Sequence, residues 1–456
     1  MDTLGIIAEY NPFHNGHLYQ IKQIKKMTGA KSIVAVMSGD FVQRGTPAWT
    51  DKYLRTQMAL SQGIDMVFEL PVTFSASSAE SFARAGISLL TTLGFIDGVC
   101  FGTECGNLPL LQEIAAFLSN PPDSFDETIQ NLTARGLSYP AARQRALDTF
   151  WSEPAKEYPN IFSDSNNILA LEYLKAIVQL KSPLIPFLIL RQGNSYHDTS
   201  LSGSFPSASA IRKSSTAITA ANSFSQNAKC TSKHQSFLNA VNTALPAHVF
   251  ALLQEHTDRY PITEDYFSDL LYYRLLHLSK MDNTVLDMTE DIFHRIEKNL
   301  PDFESYSGFT AKVKTKQYTY SRISRVLLHC LLDITTTPAF MHSPQSAVPA
   351  VSPFPYVPYA RLLGFRSEKS FLLRHKSSIP VITKPADGLS KIHAFYHSLA
   401  DSSLILPMQH INNYIDYACV LYEKDIFASN LYRQVQCNTL GCSRPNEYYC
   451  HPVILD

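Results

Sequence analysis

The sequence predicts an α/β protein: a mostly parallel sheet in the first half, a mainly helical region after it, and a small C-terminal α/β region. Three observations carry this prediction. Between residues 4 and 190, short apolar runs alternate with segments of helical periodicity, which is the pattern of βαβ units with right-handed crossovers. A polar stretch over 216–235 then marks a boundary, beyond which the apolar spacing becomes helical. A proline-rich run over 335–358 reads as a connector to the last segment.

The elements follow in order. Residues 4–10, LGIIAEY, form a nearly continuous apolar run, as expected of a strand covered on both faces. A polar loop leads into helical spacing over 17–27. Strand patterns return at 32–37, 65–70 and 98–102, with helical segments at 50–62 and 77–93 between them. Residues 108–148 are mainly helical, interrupted at Pro121 and Pro122; 165–180 is a further helix and 184–190 returns to the sheet. A Gly/Ser-rich loop over 191–208 precedes a short helix beginning near Ser207. Helices are expected at 237–253, 268–278, 289–300 and 320–332, and a compact α/β piece at 363–382. The tail alternates between aromatic helical and loop-like segments.

A chain of 456 residues has room for two or three units, here divided as 1–215, 216–335 and 336–456. It is 45% hydrophobic and 17% charged, with a net charge of -1, so there is no general attraction to nucleic acid and any RNA-binding surface must be local. The apolar stretch 180–190 is too short to cross a membrane and holds two prolines. The start of the sequence has no basic leader or small-residue cleavage site, which argues for the cytoplasm. Most of the eight cysteines are too scattered for a disulfide framework and read as reduced thiols. Cys437, Cys442 and Cys450 with His451 resemble a local zinc cluster, but CxxC spacing is missing and no metal site is assigned.

The sharpest local signal is NPFHNGH over 11–17, directly after the first predicted strand. Gly16 permits close approach of the backbone, and the first helical turn presents unpaired N–H groups to an anion. His14 and His17 stand three residues apart, so both can face one phosphate chain, supplying hydrogen bonds and charge compensation. Histidines at a helix start also serve as caps, and that reading stays open beside the first. The second signal is PSASAIRK over 206–213, where Ser207 and Ser209 offer hydroxyls and Arg212 and Lys213 offer charge to phosphate oxygens. By itself this is equally a capped helix with a solvated basic end. Sheet topology brings such separated loops to one carboxyl edge, so together the two signals predict a polyphosphate site.

In GDFVQRG, Asp40 suits a Mg²⁺-bound polyphosphate or a small substrate and Arg44 suits a carboxylate or phosphate; an ion pair holding the loop is the alternative. The tract 312–325 holds Lys312, Lys314, Lys316, Arg322 and Arg325 with Tyr318 and Tyr320, and no acidic residue. It suits RNA phosphates and exposed bases, or else forms a solvated helix face.

HNGH and SASAIRK resemble the two phosphate-binding motifs of the HxGH nucleotidylyltransferase superfamily. More closely, GIIAEYNPFHNGHLY, VMSGDFVQRGTPA, DMVFELP, FGTE, NNILALEYL, YHD, YTYSRISRVLLH and YARLLGF resemble, in order, segments of the bacterial tRNA(Met) cytidine acetate ligase family. The resemblance spans most of the chain. It implies a Rossmann-like ATP-binding domain, ATP as co-substrate with Mg²⁺, and acetate and elongator tRNA(Met) as the other substrates. It further implies that acetyl-adenylate forms and that the acetyl group passes to N4 of the wobble cytidine.

Carried onto this sequence, the ATP-binding pattern implicates Ile7, Ala8, Glu9, Tyr10, Asn11, Pro12, Phe13, His14, Asn15, Gly16, His17, Leu18, Tyr19 and Gln20, together with Gly102, Asn166 and Arg191. Asn167 competes with Asn166, and NILA at 167–170 departs mildly from the family's NILG. Ser207, Ser209 and Arg212 complete the nucleotide set; the candidate catalytic residues are His14, His17, Asp40 and Arg44. Two other functions fit the residues: nucleotidyl transfer to a small phosphorylated metabolite, and nucleotide-regulated RNA binding without catalysis. No protein partner is indicated.

Overall fold

The structure is a computed structural model and describes residues 1–150, 161–162, 164–191, 206–215, 231–278, 284–336, 354–401 and 408–456. Its strands are β1 (Thr3–Ala8), β2 (Ser32–Ser38), β3 (Phe41–Val42), β4 (Thr46–Pro47), β5 (Met66–Leu70), β6 (Gly98–Thr103), β7 (Ile185–Leu190), β8 (Ala360–Arg366), β9 (Val381–Ile382) and β10 (Val453–Leu455). The main sheet runs β10-β8-β5-β2-β1-β6-β7, with β9 paired to β8. β5, β2, β1, β6 and β7 are mutually parallel. The chain leaves β1 for β2 on one side and later returns to β6 on the other, so the strand order reverses at β1. The crevice at the carboxyl ends of β1 and β6 is therefore the expected ligand position.

The continuous apolar runs have a direct cause. Along β2, Ile33, Ala35 and Met37 pack with α1 (Asn15–Thr28) and α2 (Lys52–Ser61), whereas Val34 and Val36 pack with the Ala79–Thr92 helix. Helices cover both faces, so neither side chain set can be polar.

The predicted fold class is the one observed. Helices predominate over 231–278 and 284–332, and the C-terminal α/β region is built onto the same sheet. β8 pairs antiparallel with β5, and β10 lies parallel to β8 on its far side. Two elements differ from expectation. The helix expected at 237–253 is divided into Thr231–Val241 and Ala247–Glu255, because Pro246 between them cannot continue the hydrogen-bond ladder. The tail contains one helix of 33 residues, Met408–Leu440, in place of alternating helical and loop-like segments. Its buried stripe passes through Ile411, Ile415, Tyr422 and Tyr432 but also through Asp425, Ser429 and Gln436, and those buried polar residues broke the apolar periodicity. Of the expected loop over 191–208, residues 192–205 with the YHD segment lie outside the described residues, as do 216–230 with Cys230 from the expected boundary over 216–235 and 337–353 from the proline-rich run over 335–358; residues 231–235 of that boundary are instead the start of the Thr231–Val241 helix. Among the described residues no helix is long and apolar enough to cross a membrane.

Candidate active site

β1 ends at Ala8, and the next six residues carry the chain across the crevice to His14, the N-cap of α1. His14 Nδ1 accepts from the Gly16 N–H at 3.0 Å, and the His14 N–H donates to His17 Nδ1 at 3.2 Å. This is a capping box with two imidazoles in the places usually taken by Ser or Thr and Glu. A ring nitrogen that accepts carries no proton, so each neutral ring holds its proton on Nε2. The rings lie 3.8 Å apart between centroids. Gly16 is required by this contact, because a Cβ there would stand 2.8 Å from His14 Cε1.

Burial, reinforced by Arg191 and Arg212, pushes the His14 pKa down to about 3. Burial, then His14 and Arg191, holds His17 well below the ordinary imidazole range. Both rings are neutral near pH 7. In that form they offer hydrogen bonds rather than charge. Positive charge at the crevice comes from the arginines.

The second motif is clamped onto the first. Ser207 caps the Ala208–Ser214 helix by accepting from the Ala210 N–H at 3.1 Å. Arg212 Nη1 donates to the Asn11 carbonyl at 2.6 Å, and its Nη2 donates to Ser209 Oγ at 3.1 Å. Asn11 in turn accepts through Oδ1 from the Trp49 N–H at 2.7 Å. A cavity of about 240 Å³ opens between these loops, lined by Tyr10, His14, His17, Ser207 and Arg212, and also by Gly102, Asn166 and Arg191. Arg44 reaches the same cavity, as do Ile7, Ala8, Glu9, Asn11, Gly16, Tyr19 and Gln20.

The two neighbouring asparagines divide their work. Asn166 lines the cavity, whereas buried Asn167 accepts through Oδ1 from the N–H groups of Glu104 and Cys105 at 3.0 and 2.9 Å. Several other predicted residues lie away from the cavity lining. Phe13 is in the core with Leu18 packed against that core, Pro12 is buried, and Asn15 donates to the Thr243 carbonyl at 2.8 Å. Ser209 acts on Arg212. Asp40 is also away from the lining: its Oδ1 accepts from the Lys52 N–H at 2.8 Å, and its carbonyl accepts from the Ala48 N–H at 2.8 Å. Burial raises its pKa against the pull of Lys52 and Arg444. Of the two roles open to Asp40, these contacts are those of the loop-holding one.

Sequence reasoning missed the apolar wall made by Phe82, Phe101, Leu169 and Tyr173. Nothing in a lone aromatic within a strand or helix pattern distinguishes a cavity wall from ordinary core. It also missed Arg55, which is fully buried and donates to the carbonyls of Glu9 and Ser38 at 2.7 and 3.0 Å. That arginine ties the loops leaving β1 and β2 together.

A family model described as HIGH Nucleotidyl Transferase matches residues 1–440. The tRNA(Met) cytidine acetate ligase of Clostridium novyi is 36% identical over 390 residues, covering 84% of this chain and 90% of the relative. The chain belongs to the tRNA(Met) cytidine acetate ligase family. The ligase of Thermoanaerobacter sp. is 33% identical over the whole of both chains. Among solved structures, apo TmcAL of Thermotoga maritima matches with a TM-score of 0.81 and 27% identity over all of both chains. The same TmcAL bound with alpha-thio ATP matches with a TM-score of 0.79 over the same extent.

Proposed function

We propose that this chain activates acetate with ATP and transfers the acetyl group to N4 of the wobble cytidine of elongator tRNA(Met). The observation that carries the reading is the paired imidazole cap, which places two Nε2–H donors beside Arg191 and Arg212 at one cavity. Family membership and the likeness to a ligase bound with alpha-thio ATP support ATP as co-substrate.

In the first step an acetate oxygen bonds to the α-phosphorus, and the bond from that phosphorus to the pyrophosphate oxygen breaks. Charge shifts onto the leaving pyrophosphate. Fixed N–H donors from His14 and His17, with the guanidinium groups of Arg191 and Arg212, stabilise that charge without reorganising. Arg44 is suited to the acetate carboxylate or to a phosphate. In the second step the cytidine N4 lone pair adds to the acetyl carbonyl. AMP departs with the anhydride oxygen, and the nitrogen releases a proton to solvent.

Among the described residues no group of three His, Cys, Asp or Glu side chains is placed to hold a metal. Those residues offer no cage, and in this reading Mg²⁺ arrives with the triphosphate.

In the same reading residues 1–215 carry the nucleotide chemistry, 216–335 face the RNA, and 336–456 are the connector and the C-terminal α/β region, whose strands β8 and β10 extend the sheet. Within the basic tract, Lys312 is paired with Asp302 at 2.6 Å, and Arg322 lies over the Tyr318 ring at 5.2 Å. Lys314 and Lys316 are exposed. In this reading these last two and Arg322 are the RNA anchors, and the helix that carries Arg322 is bonded to the Arg44 loop through Ser324 and Gly45.

The test incubates the protein with ATP, Mg²⁺ and labelled acetate, with and without elongator tRNA(Met), and follows the reaction by rapid quench. Acetyl-adenylate and pyrophosphate should form without RNA, and N4-acetylcytidine should appear with it. Label reaching the RNA without an adenylate would reject the mechanism. Adenylate without modified RNA would reject the RNA substrate.

A further inference from the structure

Glu104 follows the last residue of β6 and does not line the cavity, yet it joins two residues that do. Its Oε1 accepts from Asn166 Nδ2 at 2.6 Å and stands 3.6 Å from Arg191 Nε. Arg191 Nη1 donates to Asn166 Oδ1 at 3.3 Å, which closes the triangle. The three side chains start from fixed backbone. The Glu104 N–H is held by Asn167 Oδ1 at 3.0 Å, and the Arg191 N–H is held by the Thr103 carbonyl at 3.0 Å. Asn166 belongs to the first turn of the Ser165–Gln179 helix.

The chemistry of the three partners admits one arrangement. An ionised carboxylate only accepts and a guanidinium only donates, whereas a primary amide does both. Asn166 must turn Nδ2 to Glu104 and Oδ1 to Arg191, although the amide by itself has no preference between two orientations. Its second N–H and the remaining guanidinium donors are then left for a ligand rich in acceptors.

We infer that Glu104 is a positioning residue for the nucleotide: it sets the amide orientation of Asn166 and the plane of Arg191 so that both present donors to ATP. This rests on the ATP-binding reading above and extends it to a residue that touches the nucleotide only through others. A brace that merely joined the ends of β6 and β7 would stabilise the fold but would not act through Asn166.

The experiment compares ATP dissociation constants by titration calorimetry, without acetate or RNA, for wild type, Glu104→Gln, Glu104→Asp, Asn166→Ala and the Glu104→Gln/Asn166→Ala pair. Glutamine keeps the size of Glu104 but can turn either amide atom toward Asn166, so the unique orientation is lost. Glu104→Gln should weaken ATP by about tenfold or more, as expected for a hydrogen bond to a charged group, with an unchanged thermal transition. Glu104→Asp, which keeps the charge, should recover part of the affinity. In the Asn166→Ala background the Glu104→Gln change should cost little further. Wild-type affinity in Glu104→Gln, or costs of the two substitutions that simply multiply, would overturn the inference. A wild-type protein that binds no ATP would overturn the functional reading beneath it.

Discussion

Ser324 Oγ donates a hydrogen bond of 2.8 Å to the carbonyl oxygen of Gly45, joining the Tyr320–Leu332 helix to the loop that carries Arg44 to the cavity. The buried Tyr306 hydroxyl donates to the same carbonyl at 3.3 Å. Gly45 has φ +75°, and a Cβ there would stand 2.3 Å from the Arg325 nitrogen, which is backbone and cannot swing aside. The helix that carries Arg322 is thus joined at Gly45 to the loop whose Arg44 lines the cavity.

Gly45→Ala should therefore destabilise the protein by more than about 2 kcal/mol, from left-handed strain and overlap together. It should also lower acetate-dependent pyrophosphate release by displacing Arg44. Ser324→Ala, which removes one of two donors to the carbonyl, should cost about 1 kcal/mol. Urea titration of both variants decides this; equal midpoints would show that the joint is not strained.

His17→Ala should weaken adenylation far more than RNA binding. It removes one Nε2–H donor from the cavity and one acceptor from the cap of α1. Pyrophosphate release should fall by roughly 10² to 10³ fold, as for loss of one preorganised donor, while the cap accounts for only about 1 kcal/mol of stability. Equal losses in pyrophosphate release and tRNA binding would point to misfolding.

The two histidines also set a pH dependence. The His14 pKa is pushed down to about 3 in the folded protein, and His17 lies well below its ordinary value. Below about pH 6.5 the unfolded chain takes up protons that the folded site refuses, so their contribution to stability falls as pH drops from 6.5 toward 3. His14→Asn should flatten this acid limb when urea midpoints are measured at pH 7 and pH 5. In the free protein the His14 ring should show no NMR titration between pH 8 and pH 5. A midpoint near 6.5 would mean that the ring is solvated and the neutral-donor assignment is wrong.

Replacing Lys314 and Lys316 by alanine should raise the tRNA dissociation constant and reduce its salt slope by about 2, one for each phosphate no longer neutralised. Acetate activation should be unaffected. Lys312→Ala should do less, because Lys312 is already paired with Asp302. Unchanged affinity and slope in the double substitution would remove this tract as an RNA anchor.

Lys52→Ala tests the clamp between the first and last segments. Buried Lys52 Nζ lies 2.7 Å from Glu69 Oε1, 2.8 Å from Glu447 Oε1 and 2.7 Å from Ser429 Oγ. Burial pushes the Glu447 pKa up, but Lys52 and Arg361 pull it further down, to about 2, so the carboxylate stays ionised. Removing the lysine leaves buried carboxylates short of a partner and should cost about 3 to 5 kcal/mol. A small change in the denaturation midpoint would show that Arg361 suffices alone.

What the sequence determined by itself is local. The strand, the HNGH loop and the start of α1 form one contiguous stretch, and the alternation of apolar runs with helical spacing reads directly from residues close along the chain. The Ser207 cap was legible for the same reason: its donor at Ala210 is three residues away. Tertiary structure alone decided which asparagine faces the cavity, because Asn166 and Asn167 are the same residue type and differ only in the side of a helix they occupy. It also decided that Asp40 turns to the Lys52 N–H, and that β8 joins β5 from the far end of the chain. Lys52 and Glu447 have no sequence signal in common, and neither do Gly45 and Ser324. Hydrogen-bond geometry and burial select such pairs only when the sheet has brought distant segments together, and periodicity records the burial of each segment without recording its neighbour.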